Sequence, residues 1–433
     1  MFDRRSRVWS IPGAFISAIL VITLLAACGG SQSTPQSPQP SASTKASESS
    51  KPAESAKPSA SPPASAQSPV KIGVILTTSG AQGAIGAKQV TGLEMATEEI
   101  NAAGGIMGRK IELIQRDDGG DPTKALTAAQ ELVEKNGVSI IIASTLSSPA
   151  LAIAPYLTEQ KVLMLGTHSA DAVNNPAKYP YEFTGSPTST QQAGTVAKYA
   201  VEVLKAKKIA ILGESSAYGN STVPAYKAQL EKRNVQPVAV EQYPQGTQDM
   251  TAQLTTLRKA GAEAILGATL AADSVRIIKN ILSMGWDVPY LGNSDLSSSA
   301  VVEGVGVAGM EKVYPYSYKN LSISDKVQIP AKTKEYADKL AKKLNQNPLK
   351  DSIEQSALLY DEMYMIKKAI EDAKSTDGPK LAAALEAFTG YSGVLATFKF
   401  SKDNHGGIDL DNDMVMVKGA SFKNGFYQLA PGY

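Results

Sequence analysis

Two doubly wound α/β lobes are predicted by this sequence, on three observations. From Val70 onward, short runs of β-branched and aliphatic residues alternate with amphipathic stretches of helical period. The alternation comes in two consecutive blocks, 70 to 165 and 208 to 291, and each block has the rhythm of a strand–helix–strand unit. Setting aside an N-terminal stretch that offers no core leaves about 360 residues, enough for two domains of ordinary size.

In the first block, Val70 to Leu76 (VKIGVIL) reads as a buried strand and Gly80 to Gly86 as a loop. Leu93, Ala96 and Ile100 then form one face of a helix stopped at Gly104-Gly105. Lys110 to Gln115 is the next strand. Asp121 followed by Pro122 supplies an N-cap and first-turn proline for a helix to Lys135. Val138 to Ile142 is a third strand, Ser148 to Gln160 a helix and Val162 to Leu165 a fourth strand. The second block has strands at Lys208 to Leu212, Val238 to Val240, Ala264 to Leu266 and Pro289 to Leu291. Helices fall between them, around Ser221 to Arg233, Met250 to Lys259 and Ala272 to Met284. In folds of this kind ligands sit at the carboxyl ends of the strands, so the loops there are the place to look for a site.

The N-terminus reads differently. Arg4, Arg5 and Arg7 precede an apolar run from Ile11 to Ala27 that ends in small residues, the pattern of an export signal. Leu25-Ala-Ala-Cys28, with Gly29-Gly30 behind it, resembles the signal of bacterial lipoproteins, in which the cysteine becomes the lipidated N-terminus. Against the other reading, an uncleaved membrane helix, stand the shortness of the run and its Pro12 and Gly13. Each methylene of an attached lipid adds about 0.8 kcal/mol, so a diacylglycerol with a further acyl chain would hold the chain at a membrane for good. From Ser31 to Pro69 there is no aromatic or large aliphatic side chain, so this segment has nothing to offset chain entropy and reads as a disordered tether. As a coil of about 40 residues it spans on the order of 35 Å, and drawn towards polyproline II about 120 Å.

Charge and composition exclude several classes. The 43 Lys and Arg face 41 Asp and Glu, and because three basic residues and one acidic residue precede Cys28, the remainder is balanced. A neutral surface argues against nucleic acid. The single cysteine is committed to the anchor, leaving no disulfide and no thiol nucleophile. With only His168 and His405, no metal-ligand cluster is visible.

Three loops imitate catalytic motifs. Gly80, Gly83 and Gly86 follow a strand with the spacing GxxGxxG, whereas a dinucleotide fingerprint needs GxGxxG. Gly213-Glu-Ser215-Ser-Ala217 is one residue from a nucleophile elbow, with His405 downstream in a turn-rich stretch. Asp117-Asp-Gly-Gly-Asp121 clusters carboxylates without the register of a calcium loop and reads as a solvated turn capped by Asp121.

Six segments carry a family likeness: VKIGVIL from Val70, AAGGIMGRKI from Ala102, DDGGDPTKA from Asp117, Leu151 to Pro155, Tyr218-Gly219 and Asp249 to Leu254. In this order, behind a lipoprotein signal, they resemble the branched-chain amino acid (Leu/Ile/Val) type of solute-binding protein of ABC transporters. The resemblance implies a periplasmic-binding-protein type I fold, α/β, with two lobes joined by three crossovers. Residues 70–187 and 318–391 would form lobe 1, and 188–317 and 392–433 lobe 2. It further implies a monomer in the cell envelope, in the periplasm or on the outer face of the cytoplasmic membrane. Such a receptor hands its ligand to permease and ATPase subunits and has neither catalysis nor cofactor.

Ser144-Thr-Leu-Ser-Ser148 lies at a strand end and runs into a helix, so the hydroxyls and free amides of Ser147 and Ser148 can hold a carboxylate in front of the helix dipole. In the family a serine of this loop binds the ligand carboxylate, and the match falls on Ser147 or its neighbour Ser148, with plain N-capping the competing role. The resemblance adds Thr167, His168 and Ser169 as contacts from the next strand end, His168 being equally suited to a structural role. It also adds Tyr218 as an aromatic cover, against a packing tyrosine. Where amino acid binders tend to carry aromatics this chain has Ile85 and Thr269-Leu270. Where they carry the acid that neutralises the ligand ammonium it has Ser294, with Asp295 one position off. A buried ammonium without a countercharge costs several kcal/mol, so the ligand is a neutral amino acid if Asp295 reaches it, and otherwise an amine-free aliphatic or aromatic acid. A sensory receptor on the same scaffold and an α/β hydrolase remain as alternatives.

Overall fold

The computed structural model describes residues 68–325 and 327–433. The signal, Cys28 and the tether up to residue 67 lie outside the described residues. Strands β1 Val70–Leu76, β2 Ile111–Asp117, β3 Ile140–Ala143, β4 Leu163–Gly166 and β5 Glu182–Thr184 make a five-stranded sheet in the order β2-β1-β3-β4-β5. Every neighbouring pair in it is parallel, for example Gly73 beside Ile141 and Ile75 beside Ala143. Such a sheet needs cover on both faces, which is why its strands are nearly unbroken apolar runs. Ile72, Val74 and Leu76 point to the side of helix α1 Gly83–Ala102, while Ile75 points to the side of α2 Pro122–Glu134 and α3 Ser147–Glu159.

The second sheet is built from β6 Ile209–Glu214, β7 Ala239–Tyr243, β8 Ala264–Ala268, β9 Tyr290–Gly292, β10 Val313–Tyr318, β11 Ser322–Ile323, β14 Met414–Lys423 and β15 Phe426–Leu429. Its order is β11-β15-β14-β10-β9-β8-β6-β7, parallel from β7 through β10 and antiparallel between β10, β14 and β15. Helices α4 Ser189–Lys198, α5 Ala217–Glu231, α6 Thr251–Lys259, α7 Ala271–Ser283 and α8 Ser299–Val305 belong to this half. Later in the chain come α9 Ala331–Leu344, α10 Glu354–Ala373 and α11 Gly378–Glu386, then the ribbon β12 Tyr391–Ser392 with β13 Thr397–Phe398, and the short α12 Leu410–Asp413.

The strand-and-helix rhythm read from the sequence is present over 70 to 166 and 209 to 292, with ends shifted by a few residues and α5 beginning four residues earlier, while β5 and α4 lie between the two blocks where no element was read. The stretch read as a loop, Gly80 to Gly86, instead holds a tight turn at Gly80–Gln82 and the first turn of α1. Its glycines serve close packing: a Cβ on Gly86 would lie 1.9 Å from the Thr77 carbonyl oxygen. Asp121 caps α2 as expected, its Oδ1 accepting the amides of Thr123 at 2.7 Å and Lys124 at 3.3 Å. Asp118 is buried where a solvated turn was expected, and its carboxylate accepts from the Thr77 and Ser144 hydroxyls, tying the ends of β1 and β3 together.

Helix α10 lies against α1 so closely that a Cβ on Gly92 would meet the Ser356 carbonyl oxygen at 1.7 Å. Residues 392–407, placed in lobe 2 from the sequence, make their contacts with the first sheet. Phe400 meets Phe183 edge-on at 5.4 Å, His405 stacks on Phe183 at 3.7 Å, and Gly406 bridges to Thr184. The aromatic surface of β5 holds this segment, and the chain joins the second sheet only at β14.

Candidate ligand-binding site

The carboxyl ends of both sheets open onto one cleft of about 610 Å³, counting space open to solvent. The first half contributes the start of α1 (Gln82, Ile85, Gln89), the β3 loop (Thr145 to Ser147) and the β4 loop (Thr167 to Ser169). The second contributes Tyr218 of α5, Leu270, Asn293 to Asp295 after β9, and Tyr316 and Tyr318 of β10. Glu354, Gln355 and Leu358 enter from α10.

Ser147 is the first residue of α3, behind an N-cap, Leu146, that has no side chain able to cap. The amides of Ser147 and Ser148 therefore have no intrahelical acceptor, Pro149 has no N–H, and the helix dipole stands behind the cleft wall that Leu146 and Ser147 line. The Ser147 hydroxyl is not a cap: its oxygen accepts the amides of Ser169 at 3.2 Å and Ala170 at 3.1 Å, which leaves its proton to give. Ser148 points elsewhere. Its Oγ accepts the Ala217 amide at 3.2 Å, a bond from the first half of the molecule to the start of α5, and it does not line the cleft.

Thr167 lines the cleft, but its hydroxyl donates to the Ser144 carbonyl at 3.0 Å and accepts from Gln89 Nε2 at 3.2 Å. Gln89 also accepts from the Thr145 hydroxyl at 2.7 Å, so one amide positions both loops. The His168 ring is buried, with Nδ1 3.2 Å from the Ala143 carbonyl and Nε2 paired with Glu182, so both nitrogens are engaged behind the cleft wall. Ser169 lines the cleft half-buried. Tyr218 is buried and its hydroxyl donates to Gln192 Oε1 at 3.0 Å; burial lifts its pKa well above the usual phenol range. Ile85, Ser294 and Asp295 all line the cleft.

Asp295 brings a carboxylate to the cleft from the turn after β9. Desolvation pushes its pKa up to about 6, against the Lys88 charge, a hydrogen bond from Gln82 and the Ala271 amide. The residues lining the cleft include no Lys or Arg. Sequence reading missed Gln82, Gln89, Gln192, Asn293 and Glu354. Glu354 gave the only legible sign, an acid in a helix's first turn, which reads as a complement to the dipole. Burial lifts the Glu354 pKa to about 8, against a hydrogen bond from Ser294, and the nearby Asp295 carboxyl raises it further.

The nucleophile-elbow lookalike comes apart in space. Ser215 is exposed, while His405 is buried with Nδ1 on the Glu182 carbonyl at 2.6 Å and Nε2 on Glu386 at 3.3 Å.

Against known families, residues 69–423 match the model described as periplasmic binding protein. The chain belongs to that family. Among its relatives, the Leu/Ile/Val-binding protein homolog 3 of Brucella melitensis is 30% identical over 231 residues, covering 53% of this chain and 62% of that protein. An amino acid binding protein of Pseudomonas aeruginosa is 27% identical over 55% of this chain and 63% of its own length, so the match spans under two thirds of each of these two. The Leu/Ile/Val-binding protein homolog 7 of Brucella abortus is 25% identical over 82% of this chain and 90% of its own. The crystal structure of a type 1 periplasmic binding protein from Bordetella pertussis superposes with a TM-score of 0.75 at 25% identity, covering 84% of this chain and all of that one. A branched-chain amino acid transporter substrate-binding protein of Streptococcus pneumoniae, solved with isoleucine, gives 0.71 at 23% identity over 84% of this chain and 99% of its own. The fold is that of the type I periplasmic binding proteins, and several of these relatives carry the Leu/Ile/Val-binding name that the six sequence segments resemble.

Proposed function

We propose that this protein is a solute-binding receptor of an ABC importer, held at the cell envelope by a lipid on Cys28, that captures a neutral amino acid between two closing lobes and catalyses nothing itself. One observation carries the ligand class. The cleft has amide and hydroxyl donors at the start of α3, around Ser147, and a carboxylate, Asp295, on the other sheet. That division suits a zwitterion, with its carboxylate at the helix N-terminus and its ammonium at the acid. An amine-free acid would bring no positive charge to Asp295.

Hydrogen bonds between the two halves support closure around the ligand. The Asp171 amide donates to Ser221 Oγ at 2.8 Å, the Thr190 hydroxyl to Asp171 Oδ2 at 2.7 Å, and the Ser299 hydroxyl to Asp351 Oδ2 at 2.6 Å. Lobe 1 comprises residues 70–187 and the helices α9 to α11 with the segment to Gly407; the rest is lobe 2. A thermal-shift panel tests the reading: a ligand at about 100 times its Kd adds roughly 2.7 kcal/mol to folded stability. Neutral amino acids are expected to raise the midpoint. If only uncharged sugars or amides do so, the donor end at Ser147 has another use.

A further inference from the structure

The acid end of the cleft holds more acceptor capacity than one carboxylate explains. Glu354, the first residue of α10, is 4% exposed, and its Oε2 has no hydrogen-bond partner. Asn293 spends its amide nitrogen on the Thr269 carbonyl at 3.0 Å, and its Oδ1 is left without a donor. Gln82 gives its nitrogen to Asp295, and its Oε1 is likewise left over. All three oxygens are acceptors, all belong to residues that line the cleft, and no cationic side chain lines it. Buried acceptors are normally satisfied, and although the Ser294 and Ser317 hydroxyls lie beside Glu354, the three oxygens together can take a donor from outside the chain. A primary ammonium brings three N–H bonds and a positive charge.

We propose that Glu354 is a ligand-contacting residue that sets specificity: with Asp295 it brackets the ligand's ammonium group, so this receptor takes amines and rejects their amine-free counterparts. The inference rests on the amino acid receptor reading and deepens it. The two acids come from different elements, Glu354 from a helix packed on α1 and Asp295 from the turn after β9, and both line one recess. An ammonium between them ties the two elements together. Without it, closing brings two carboxyl groups into each other's field, and one must hold a proton. The groups facing Glu354 are Asp295, Tyr316 and Tyr318 of β10 and Tyr427 of β15. Lys88 acts on Asp295 from α1 but is paired with Asp351, and the remaining titratable groups at the cleft, His168 and Tyr218, are engaged with Glu182 and Gln192. Lys88 lines one recess with Asp295, Glu354 and Asp351, so a single cation is shared among three carboxyl groups when the cleft is empty.

The test uses the soluble mature chain and three sets of probes: the twenty common amino acids, the matching amine-free acids, and simple alkylamines. Thermal shifts rank them, and the strongest binder goes to calorimetry at pH 7 in two buffers of different ionisation enthalpy. Only amine-bearing probes are expected to bind, with release of about one proton as both acids ionise. Glu354→Gln is expected to abolish the release and weaken binding about tenfold or more, the loss typical of a charge-assisted hydrogen bond, with Glu354→Asp falling between. The wild-type comparison and its proton count need no variant. Amine-free acids binding as tightly as their parents, or amino acid binding with no proton release and no response to Glu354→Gln, overturns the inference and leaves the receptor reading standing. No binder among the amino acids overturns the receptor reading, and the inference with it.

Discussion

Glu354 carries a cost that is measurable without any ligand. Its folded pKa of about 8 lies above the ordinary value of 4.5 because burial disfavours the charged form. Between those two values the folded chain binds more protons than the unfolded chain, so stability falls as pH rises through that window and levels off above it. Asp295, raised to about 6, adds a smaller loss between its ordinary value of 3.8 and 6. Urea unfolding of ligand-free protein should therefore show Glu354→Gln no more stable than wild type near pH 4. Near pH 9 the variant should be more stable by a few kcal/mol, because each tenfold change in proton affinity is worth about 1.4 kcal/mol. Equal midpoints at both pH values would mean that Glu354 is hydrated and ionises as it does in water. For Asp295→Asn the expectation concerns binding: amino acids lose about tenfold or more in affinity because a countercharge is gone, and calorimetry on the variant checks it.

Among the elements, the pairing of α1 with α10 matters most to the site, because α1 carries Gln82's neighbour Ile85 and Gln89 while α10 carries Glu354. The two helices approach at Gly92, where any side chain would run into the Ser356 carbonyl. Gly92→Ala is expected to destabilise by about 1–3 kcal/mol or more, since backbone must move to admit the methyl group. Because Glu354 precedes Ser356 by two residues, the same change should also weaken ligand binding. Denaturant unfolding with a binding titration checks both, and a neutral outcome would mean that α10 slides freely along α1. The helices read from the sequence by period and cap, such as α2 behind Asp121, lie where expected. The start of α1 was legible only as a glycine-rich loop, because the reason for its glycines is the Thr77 carbonyl 1.9 Å from where a Cβ on Gly86 would be.

For the whole molecule, two expectations concern motion and anchoring. Bonds such as Ala217 to Ser148 and Ser299 to Asp351 join the two halves. If they form on closing, a saturating amino acid should reduce the radius of gyration measured by small-angle scattering. An unchanged radius would speak against two moving lobes. Cys28→Ala should leave the protein unlabelled by palmitate in cells; labelling equal to wild type would show that the anchor lies elsewhere.

The sequence by itself determined the α/β alternation, the two blocks, and the strand-end loops at Ser147, Thr167 and Asp295. Those features are local: period, caps and turn residues act over a few positions, and strand ends follow from them. Only the tertiary structure decided which atoms of those loops are free. It turned Ser148 towards α5, spent both nitrogens of His168 on Ala143 and Glu182, and drew residues 392–407 onto Phe183. It also carried Glu354 across the chain to within the field of Asp295. Those outcomes depend on contacts between residues far apart in sequence, and a hydrogen bond consumed by a distant partner leaves no mark on the residues around it.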